Sequence, residues 1–231
     1  MYPRLSLLHL DELGEKRLAR LRDLLDPAER EQAARFVFEA NRLEYIAAHG
    51  LLRSLLAEET RRDGARLRFI RAGQGAKPRL DGAEGQGLDF NISHTSGLVV
   101  CALLRDGQLG VDAEYLGRNL DLSLARRFFA ADEADWLEEQ AEPAQAFVQL
   151  WTLKEALVKA VGQGIAMGLG SFSVRPDPPR LLRVDTPLLG KPERWRLWQT
   201  RPGDSYSLAL AWCGADATTE PQIISPWALL P

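Results

Sequence analysis

The chain has 231 residues, 45% of them hydrophobic, so it can fold around one large core or two smaller ones. Its formal net charge of −3 argues against a nucleic-acid-binding protein, because such proteins neutralise many phosphates with basic side chains. No stretch approaches the ~20 apolar residues of a membrane span, and the early charges do not suit a signal peptide. We therefore expect a globular, cytoplasmic protein that binds neither nucleic acid nor membranes.

The first half of the chain predicts one helical region followed by strands. Asp26 and Pro27 form a typical N-cap and first helical residue, and apolar residues recur at intervals of three and four as far as Glu59. Apolar segments separated by glycine-rich loops then predict strands. These segments are LRFIRAG, LDFNIS, LVVCALL and QLGVDAEYL, residues 67–73, 88–93, 98–104 and 108–116.

The second half repeats this order. Helical patterns cover residues 120–140 and 144–164, and strand patterns follow at residues 171–175, 181–184, 194–200 and 206–213. The tail after Cys213 is expected to be loop. An α+β fold of two similar halves, joined near residues 105–110, follows from this order.

Two acidic residues end the predicted strand QLGVDAEYL. Asp112 and Glu114 are two residues apart, so their side chains point to the same face of the strand. Carboxylates this close repel each other and raise each other's pKa unless a positive group lies near them. A turn after the strand would explain Asp112 but not Glu114.

The segment WTLKEALVKAVGQG, residues 151–164, carries a second candidate group. Glu155 and Lys159 are four residues apart on the polar side of a predicted helix. Taken alone, they favour an exposed ion pair worth roughly 0.2–0.5 kcal/mol. Together with Asp112 and Glu114, however, Glu155 would supply the oxygen ligands that Mg²⁺ prefers. Lys154 and Lys159 could then bind phosphate oxygens.

A possible phosphate site lies earlier in the chain. Ser93 and His94 end a predicted strand within FNISHTSG, and Lys77 lies in the loop GAKP, residues 75–78. A hydroxyl, an imidazole and an ammonium group together could bind a terminal phosphate. The alternative is that His94 is only a structural hydrogen-bond partner.

The order GAKP, FNISHTSG, GVDAE, FFAADE and WTLKEALVK resembles the 4′-phosphopantetheinyl transferase superfamily, in its longer monomeric class that activates carrier proteins of peptide, polyketide or fatty-acid synthases. The resemblance spans roughly residues 26–175. It implies two halves related by a pseudo-two-fold axis, each with a long helix on a mainly antiparallel sheet. It also implies that coenzyme A binds between residues 1–106, on the 3′-phosphate side, and residues 107–231, on the metal and diphosphate side.

The resemblance also implies residue roles. Asp112, Glu114 and Glu155 would hold Mg²⁺, and Lys159 would contact the diphosphate. Lys77, Ser93 and His94 would hold the 3′-phosphate. Arg42 and Arg53 fall in the family's basic helix, and Glu133 matches a glutamate near the active site.

The implied reaction is attack by a serine hydroxyl of an apo acyl or peptidyl carrier protein on coenzyme A, with release of 3′,5′-ADP. Glu155 or Glu133 could accept the serine proton. The sequence leaves two alternatives open. A Mg²⁺-dependent nucleotide phosphotransferase could use the same carboxylates, although no GxxxxGK[ST] loop is present. A non-catalytic carrier-protein-binding module would also suit this fold.

Overall fold

The structure is a computed structural model that describes residues 2–73, 75–118, 121–214 and 220–230. Its described residues form six α-helices and eleven strands. The helices are α1 (Glu15–Leu24), α2 (Pro27–Ala34), α3 (Glu39–Thr60), α4 (Ser123–Phe128), α5 (Ala131–Glu138) and α6 (Pro143–Val161). The strands are β1 (Arg4–His9), β2 (Phe69–Ile70), β3 (Arg79–Leu80), β4 (Leu88–Thr95), β5 (Leu98–Arg105), β6 (Gly107–Tyr115), β7 (Phe172–Pro176), β8 (Pro179–Val184), β9 (Arg196–Thr200), β10 (Tyr206–Gly214) and β11 (Gln222–Ile223).

The two main sheets repeat one topology. The first has the order β11-β1-β5-β4 and the second the order β6-β10-β9. Within both, the triplets β1-β5-β4 and β6-β10-β9 are antiparallel. In each half a strand leads into helices and a two-stranded hairpin, and two further strands complete the sheet. The predicted α+β fold of two similar halves is therefore confirmed.

The layers follow from the alternation of side chains along the strands. One face of β5 packs with α1 and α3 in a first core, and one face of β10 packs with α6 in a second core. The opposite faces of both strands meet in a third core that lies between the sheets. The protein is thus built as helices, sheet, sheet and helices, and β6 lies where the two halves join.

Several local features differ from the sequence prediction, among them the helical pattern of residues 120–140, which is divided into α4 and α5 at Phe129 and Ala130. The predicted helical region 26–59 is interrupted at residues 35–38, where Phe38 is an extended N-cap of α3. Aromatic and β-branched residues in RFVF disfavour a helix there. The short strand β1 and helix α1 had not been predicted. The tail is only partly loop, because Gln222 and Ile223 pair in parallel with β1, and Leu229 and Leu230 enter the first core.

Among the described residues, none of the helices combines the length and the apolar character that a bilayer crossing requires.

Candidate functional site

Strand β6 and helix α6 lie against each other with very little space between their backbones. Gly110 of β6 faces the helix, and a Cβ atom built on it would come within 2.0 Å of the carbonyl oxygen of Ala156. Only glycine therefore permits this approach. Because side chains alternate along a strand, Asp112 and Glu114 point to the same side as Gly110, toward the face of α6 that carries Glu155 and Lys159.

Asp112 is the central residue of this junction. Its side chain is buried, and its Oδ1 accepts hydrogen bonds from Ser93 Oγ at 2.9 Å and from Lys159 Nζ at 2.7 Å. Lys159 Nζ also donates to Ser93 Oγ at 3.0 Å. Burial raises the pKa of Asp112, although Lys159 and Ser93 favour the charged form and oppose this effect. Oδ2 of Asp112 is buried, and no group in the described part of the chain bonds to it.

Glu114 and Glu155 complete a group of three carboxylates. Glu114 Oε2 lies 2.7 Å from Arg118 Nη1. Burial raises the pKa of Glu155, and the negative charges of Asp112 and Glu114 raise it further, while Lys159 opposes them. The charges of Asp112 and Glu114 on β6 thus act on Glu155 across the junction with α6. The exposed Glu155–Lys159 ion pair considered from the sequence is not what the structure contains, because Lys159 binds Asp112 instead.

The donor chemistry at this junction fits a hard divalent cation. Carboxylate oxygens are its preferred protein ligands, and Oδ2 of Asp112 is a buried acceptor without a donor among the described residues. In those residues, however, no three His, Cys, Asp or Glu side chains are gathered tightly enough to form a complete metal site. Lys159 and Arg118 neutralise two of the carboxylates, so a cation would have to displace or join these bases.

Lys77 and His94 lie at different places. Lys77 Nζ is held by Asp89 Oδ2 at 2.7 Å and by the carbonyl oxygen of Leu109 at 2.6 Å. It borders a cavity of about 380 Å³. His94 is exposed, its Nδ1 lies 3.4 Å from Glu44 Oε2, and it lines a second cavity of about 390 Å³. Ser93 instead belongs to the Asp112 group, so the structure does not gather the three residues predicted to hold one phosphate.

Arg53 lies in a buried network of ion pairs and backbone hydrogen bonds. Its side chain is fully buried, its Nε donates to Glu29 at 2.6 Å, and its Nη2 donates to Asp26 at 2.9 Å. Its Nη1 donates to two backbone carbonyls, those of Gly64 and Leu67. This burial does not fit the predicted contact with coenzyme A. Arg42, by contrast, is exposed and pairs with Glu39 in the first turn of α3.

Glu133 and Lys154 form a second buried structural group. Both are essentially inaccessible, and Lys154 Nζ donates to both carboxylate oxygens of Glu133, at 2.7 and 2.6 Å, and to the carbonyl of Phe172. Glu133 also accepts hydrogen bonds from the backbone N–H groups of Ala130 and Val174. Burial lowers the pKa of Lys154 to about 8, although the attraction of Glu133 opposes this. The predicted roles of Glu133 in catalysis and of Lys154 in phosphate binding do not fit this enclosed pair.

Sequence reasoning missed two residues that build the site. Gly110 was read only as part of a strand, and its signal is a glycine within an apolar strand, which often marks a close backbone approach. Asp89, the partner of Lys77, was also missed. Its signal is a polar residue at every second position of β4, which indicates a strand face that bonds to something other than an apolar core.

Comparisons with known proteins show the family to which the chain is similar. Residues 108–211 match the family model of the 4′-phosphopantetheinyl transferase superfamily, and residues 14–104 match the N-terminal model of 4′-phosphopantetheinyl transferase. The chain is 34% identical to 4′-phosphopantetheinyl transferase HetI of Nostoc sp., over 87% of this chain and 83% of that one. It is 28% identical to 4′-phosphopantetheinyl transferase Sfp of Bacillus subtilis, over 94% and 95% of the two chains.

A solved structure is also similar in part. The crystal structure of Thermotoga maritima holo-[acyl-carrier-protein] synthase aligns with a TM-score of 0.41 and 19% identity, over 46% of this chain and 62% of that chain.

The two family-model matches meet between β5 and β6, where the two repeats of the fold also meet. The resemblance found in the sequence motifs is thus confirmed over nearly the whole chain.

Proposed function

This chain is a member of the 4′-phosphopantetheinyl transferase superfamily and an enzyme of that type, and we propose that it transfers 4′-phosphopantetheine from coenzyme A to a serine of an apo acyl or peptidyl carrier protein. The observation that carries this proposal is the group of Asp112, Glu114, Glu155 and Lys159 at the junction of β6 and α6. In this reaction the serine oxygen bonds to the phosphorus next to the pantetheine arm. The bond from that phosphorus to the leaving 3′,5′-ADP breaks, and the serine proton passes to a base.

We propose that Asp112, Glu114 and Glu155 hold Mg²⁺. The unbonded, buried Oδ2 of Asp112 and the coupling of the three carboxylates support this set. When bound, Mg²⁺ would neutralise charge on the diphosphate and on the leaving oxygen. The chain's own contribution is to hold the three carboxylates on facing elements, with Gly110 allowing the close approach of strand and helix.

Lys159 is proposed to bind the diphosphate. Its ammonium group is part-buried and is kept in place by Asp112 and Ser93. A cation that is ordered before the substrate arrives stabilises developing negative charge without further reorganisation. Ser93 in this proposal orders Asp112 and Lys159 and does not itself hold the 3′-phosphate.

Glu155 is the proposed general base. It belongs to the carboxylate group at the junction of β6 and α6, on the same helix as Lys159, the proposed ligand of the diphosphate. Glu133, the other candidate, accepts bonds from Lys154 and two backbone N–H groups and is enclosed. Its carboxylate therefore has no path to a serine hydroxyl without local opening of the fold.

The nucleotide end of coenzyme A is proposed to lie along the first half. His94, exposed at the end of β4, is the candidate ligand of the 3′-phosphate, and Lys77 beside the first cavity is the alternative. Arg42 adjoins Asn41, which lines the same cavity as His94, so Arg42 is a further candidate. In this proposal residues 1–106 form the 3′-phosphate side and residues 107–231 the metal and diphosphate side, with the tail returning to the first half. We further propose that the protein acts as a cytoplasmic monomer.

Transfer to a carrier protein tests this function. The protein is incubated with coenzyme A, Mg²⁺ and several apo-carrier proteins, and the intact mass of each carrier is measured. We expect the phosphopantetheine mass on at least one carrier, and no addition to the same carrier with its acceptor serine changed to alanine. Binding of carriers without any mass addition would indicate the non-catalytic module instead.

A further inference from the structure

Strands β4 and β6 are joined by side chains rather than by a backbone ladder. β4 belongs to the first sheet and β6 to the second. Every second residue of β4 uses a side-chain oxygen to accept a backbone N–H of β6, always from the residue twenty positions later. The four bonds join Leu109 to Asp89 (2.8 Å), Val111 to Asn91 (2.9 Å), Ala113 to Ser93 (3.2 Å) and Tyr115 to Thr95 (3.2 Å). We call these four bonds the side-chain ladder.

The side-chain ladder satisfies the edge of β6 that faces the first half. The other edge of β6 pairs with β10. Without the ladder, the N–H groups on this edge would lie near the centre of the molecule with no partner, which costs free energy comparable to a lost hydrogen bond. Its constant offset also sets the register of β6 relative to β4.

This register decides where the candidate ligands lie. The N–H donors of the ladder are residues 109, 111, 113 and 115, so they alternate with Asp112 and Glu114 along β6. A slip by one residue would turn both carboxylates away from α6 and toward the apolar core between the sheets. The bond from Val111 to Asn91 lies directly before Asp112 and is among the shorter of the four.

We propose that Asn91 is a positioning residue for the transfer reaction, because its amide oxygen holds β6 in the register that brings Asp112 to Ser93, Lys159 and the cation. This inference rests on the proposed function, in which Asp112 is a metal ligand. Asn91 itself touches neither substrate nor metal. It acts through the backbone of Val111, as groups behind metal ligands commonly do.

Asn91 is the member of the side-chain ladder that can be changed without disturbing other contacts of the site. Asp89 also holds Lys77, and Ser93 also contacts Asp112 and Lys159, so changing either would disturb several interactions. Thr95 bonds at the exposed end of β6, where Tyr115 is partly in solvent. Within the described residues, Asn91 is the one member that accepts from a buried residue of β6 and makes no further bond to a charged group of the site.

The test compares Asn91→Leu, which has a similar size but no acceptor, with Asn91→Asp, which keeps the acceptor as Asp89 does in the same ladder. Ser6→Ala is the matched control, because it removes a side-chain-to-backbone bond from β1, the counterpart of β6 in the first half. Binding of Mn²⁺ in the presence of coenzyme A and without carrier is measured by electron paramagnetic resonance. Melting temperatures and the dependence of kcat on Mg²⁺ are measured in parallel.

We expect Asn91→Leu to weaken Mn²⁺ binding about tenfold or more, in the range seen for groups behind metal ligands, and to lower kcat. Asn91→Asp should restore both, while Ser6→Ala should lower only the melting temperature. If Asn91→Leu does not fold, Asn91→Ser, whose shorter side chain lengthens the bond, is compared in the same way.

Wild-type Mn²⁺ binding in Asn91→Leu, with a loss of melting temperature like that of Ser6→Ala, would overturn the positioning role alone. A wild-type protein that binds no Mn²⁺ with coenzyme A would overturn the metal assignment and this role with it.

Discussion

Asp112 combines two properties that rarely occur in one side chain. It is buried at 4% exposure, yet only one of its two oxygens is hydrogen-bonded within the described residues. An unbonded buried carboxylate oxygen costs free energy, so its persistence calls for an explanation. The divalent cation that we propose for this site would explain it, and Glu155 and Lys159 lie at the same junction.

The first prediction separates the two candidates for the 3′-phosphate. We expect His94→Ala to raise KM for coenzyme A about tenfold, the effect of one lost charge-assisted hydrogen bond, and to leave dephospho-coenzyme A nearly unchanged. Lys77→Ala should instead affect both donors equally, because Lys77 is bonded to Asp89 and to the carbonyl of Leu109. Values of kcat/KM for both donors with both variants measure this.

The opposite pattern, with donor discrimination lost in Lys77→Ala and kept in His94→Ala, would assign the phosphate to Lys77.

Among these residues, the sequence predicted the common face of two carboxylates but not the contacts that each side chain makes. The spacing of Asp112 and Glu114 gave their common face correctly, because strand geometry alone determines it. That Lys159 binds Asp112 and not Glu155 depends on how α6 lies on β6. That contact is governed by Gly110, a residue without a side chain.

Both halves contain a buried ion pair between a short helix and a long helix. In the first half, Glu29 at the start of α2 binds Arg53 of the long helix α3. In the second half, Glu133 at the start of α5 binds Lys154 of the long helix α6. In both, the base is fully buried and also binds backbone carbonyls beyond its helix. Each ion pair, with the carbonyl bonds of its base, anchors a short helix and a later segment of the chain to the long helix.

The second prediction concerns the Glu133–Lys154 pair. Glu133→Gln leaves the buried ammonium of Lys154 without its counter-charge, which should lower the free energy of unfolding by about 3–5 kcal/mol. The double variant Glu133→Gln with Lys154→Met should recover a large part of this loss. Urea unfolding measures both. A fully stable Glu133→Gln protein that has lost transfer would contradict this structural role and return Glu133 to the catalytic group.

The third prediction concerns stability in acid. Burial by itself would raise the pKa of Glu29, but bonds from His49 and Arg53 lower it from 4.5 to about 2. A lowered folded-state pKa means that the stabilisation is complete above the unfolded value and is lost as the pH falls from about 5 toward 2. The difference in unfolding free energy between wild type and Glu29→Gln should therefore shrink over that interval. A difference that is constant between pH 7 and pH 3 would contradict it.

Sequence patterns could not reveal these pairs. A charged residue on a helix usually indicates a solvent-facing position. Arg53 and Lys154 are instead buried against acidic partners. These partners lie 24 and 21 residues away in the chain, so no local sequence pattern indicates them. Strand positions were predicted well, since apolar runs bounded by glycine are a local signal. The short β1 and the break before α3 were missed for lack of such a signal.

Although the two halves repeat one topology, the described residues place the candidate carboxylate site in the second half alone. When β1 and β6 are aligned through their pairing with β5 and β10, Ser6 and Leu8 of β1 correspond to Asp112 and Glu114 of β6. The free edge of β1 is covered by β11, whereas β6 meets β4 through the side-chain ladder. The first half therefore has neither the carboxylates nor the open junction of the second.

The fourth prediction is a stoichiometry of one coenzyme A per chain. Titration calorimetry with Mg²⁺ and without carrier should give a single class of sites despite the two similar halves. Two equivalent sites per chain would contradict the asymmetry between β1 and β6.

We propose that the carboxylates at the β6–α6 junction make the transfer depend on a divalent cation, and this dependence is tested by the rate of carrier modification during a Mg²⁺ titration. Wild type should require Mg²⁺ and lose transfer in chelator. Asp112→Asn should lose on the order of a hundredfold or more in rate while staying folded, because the buried charge that faces the cation is gone. Glu139→Gln, which neutralises an exposed carboxylate at the end of α5, should match wild type. Undiminished transfer in chelator, or an Asp112→Asn rate equal to that of Glu139→Gln, would contradict the claim.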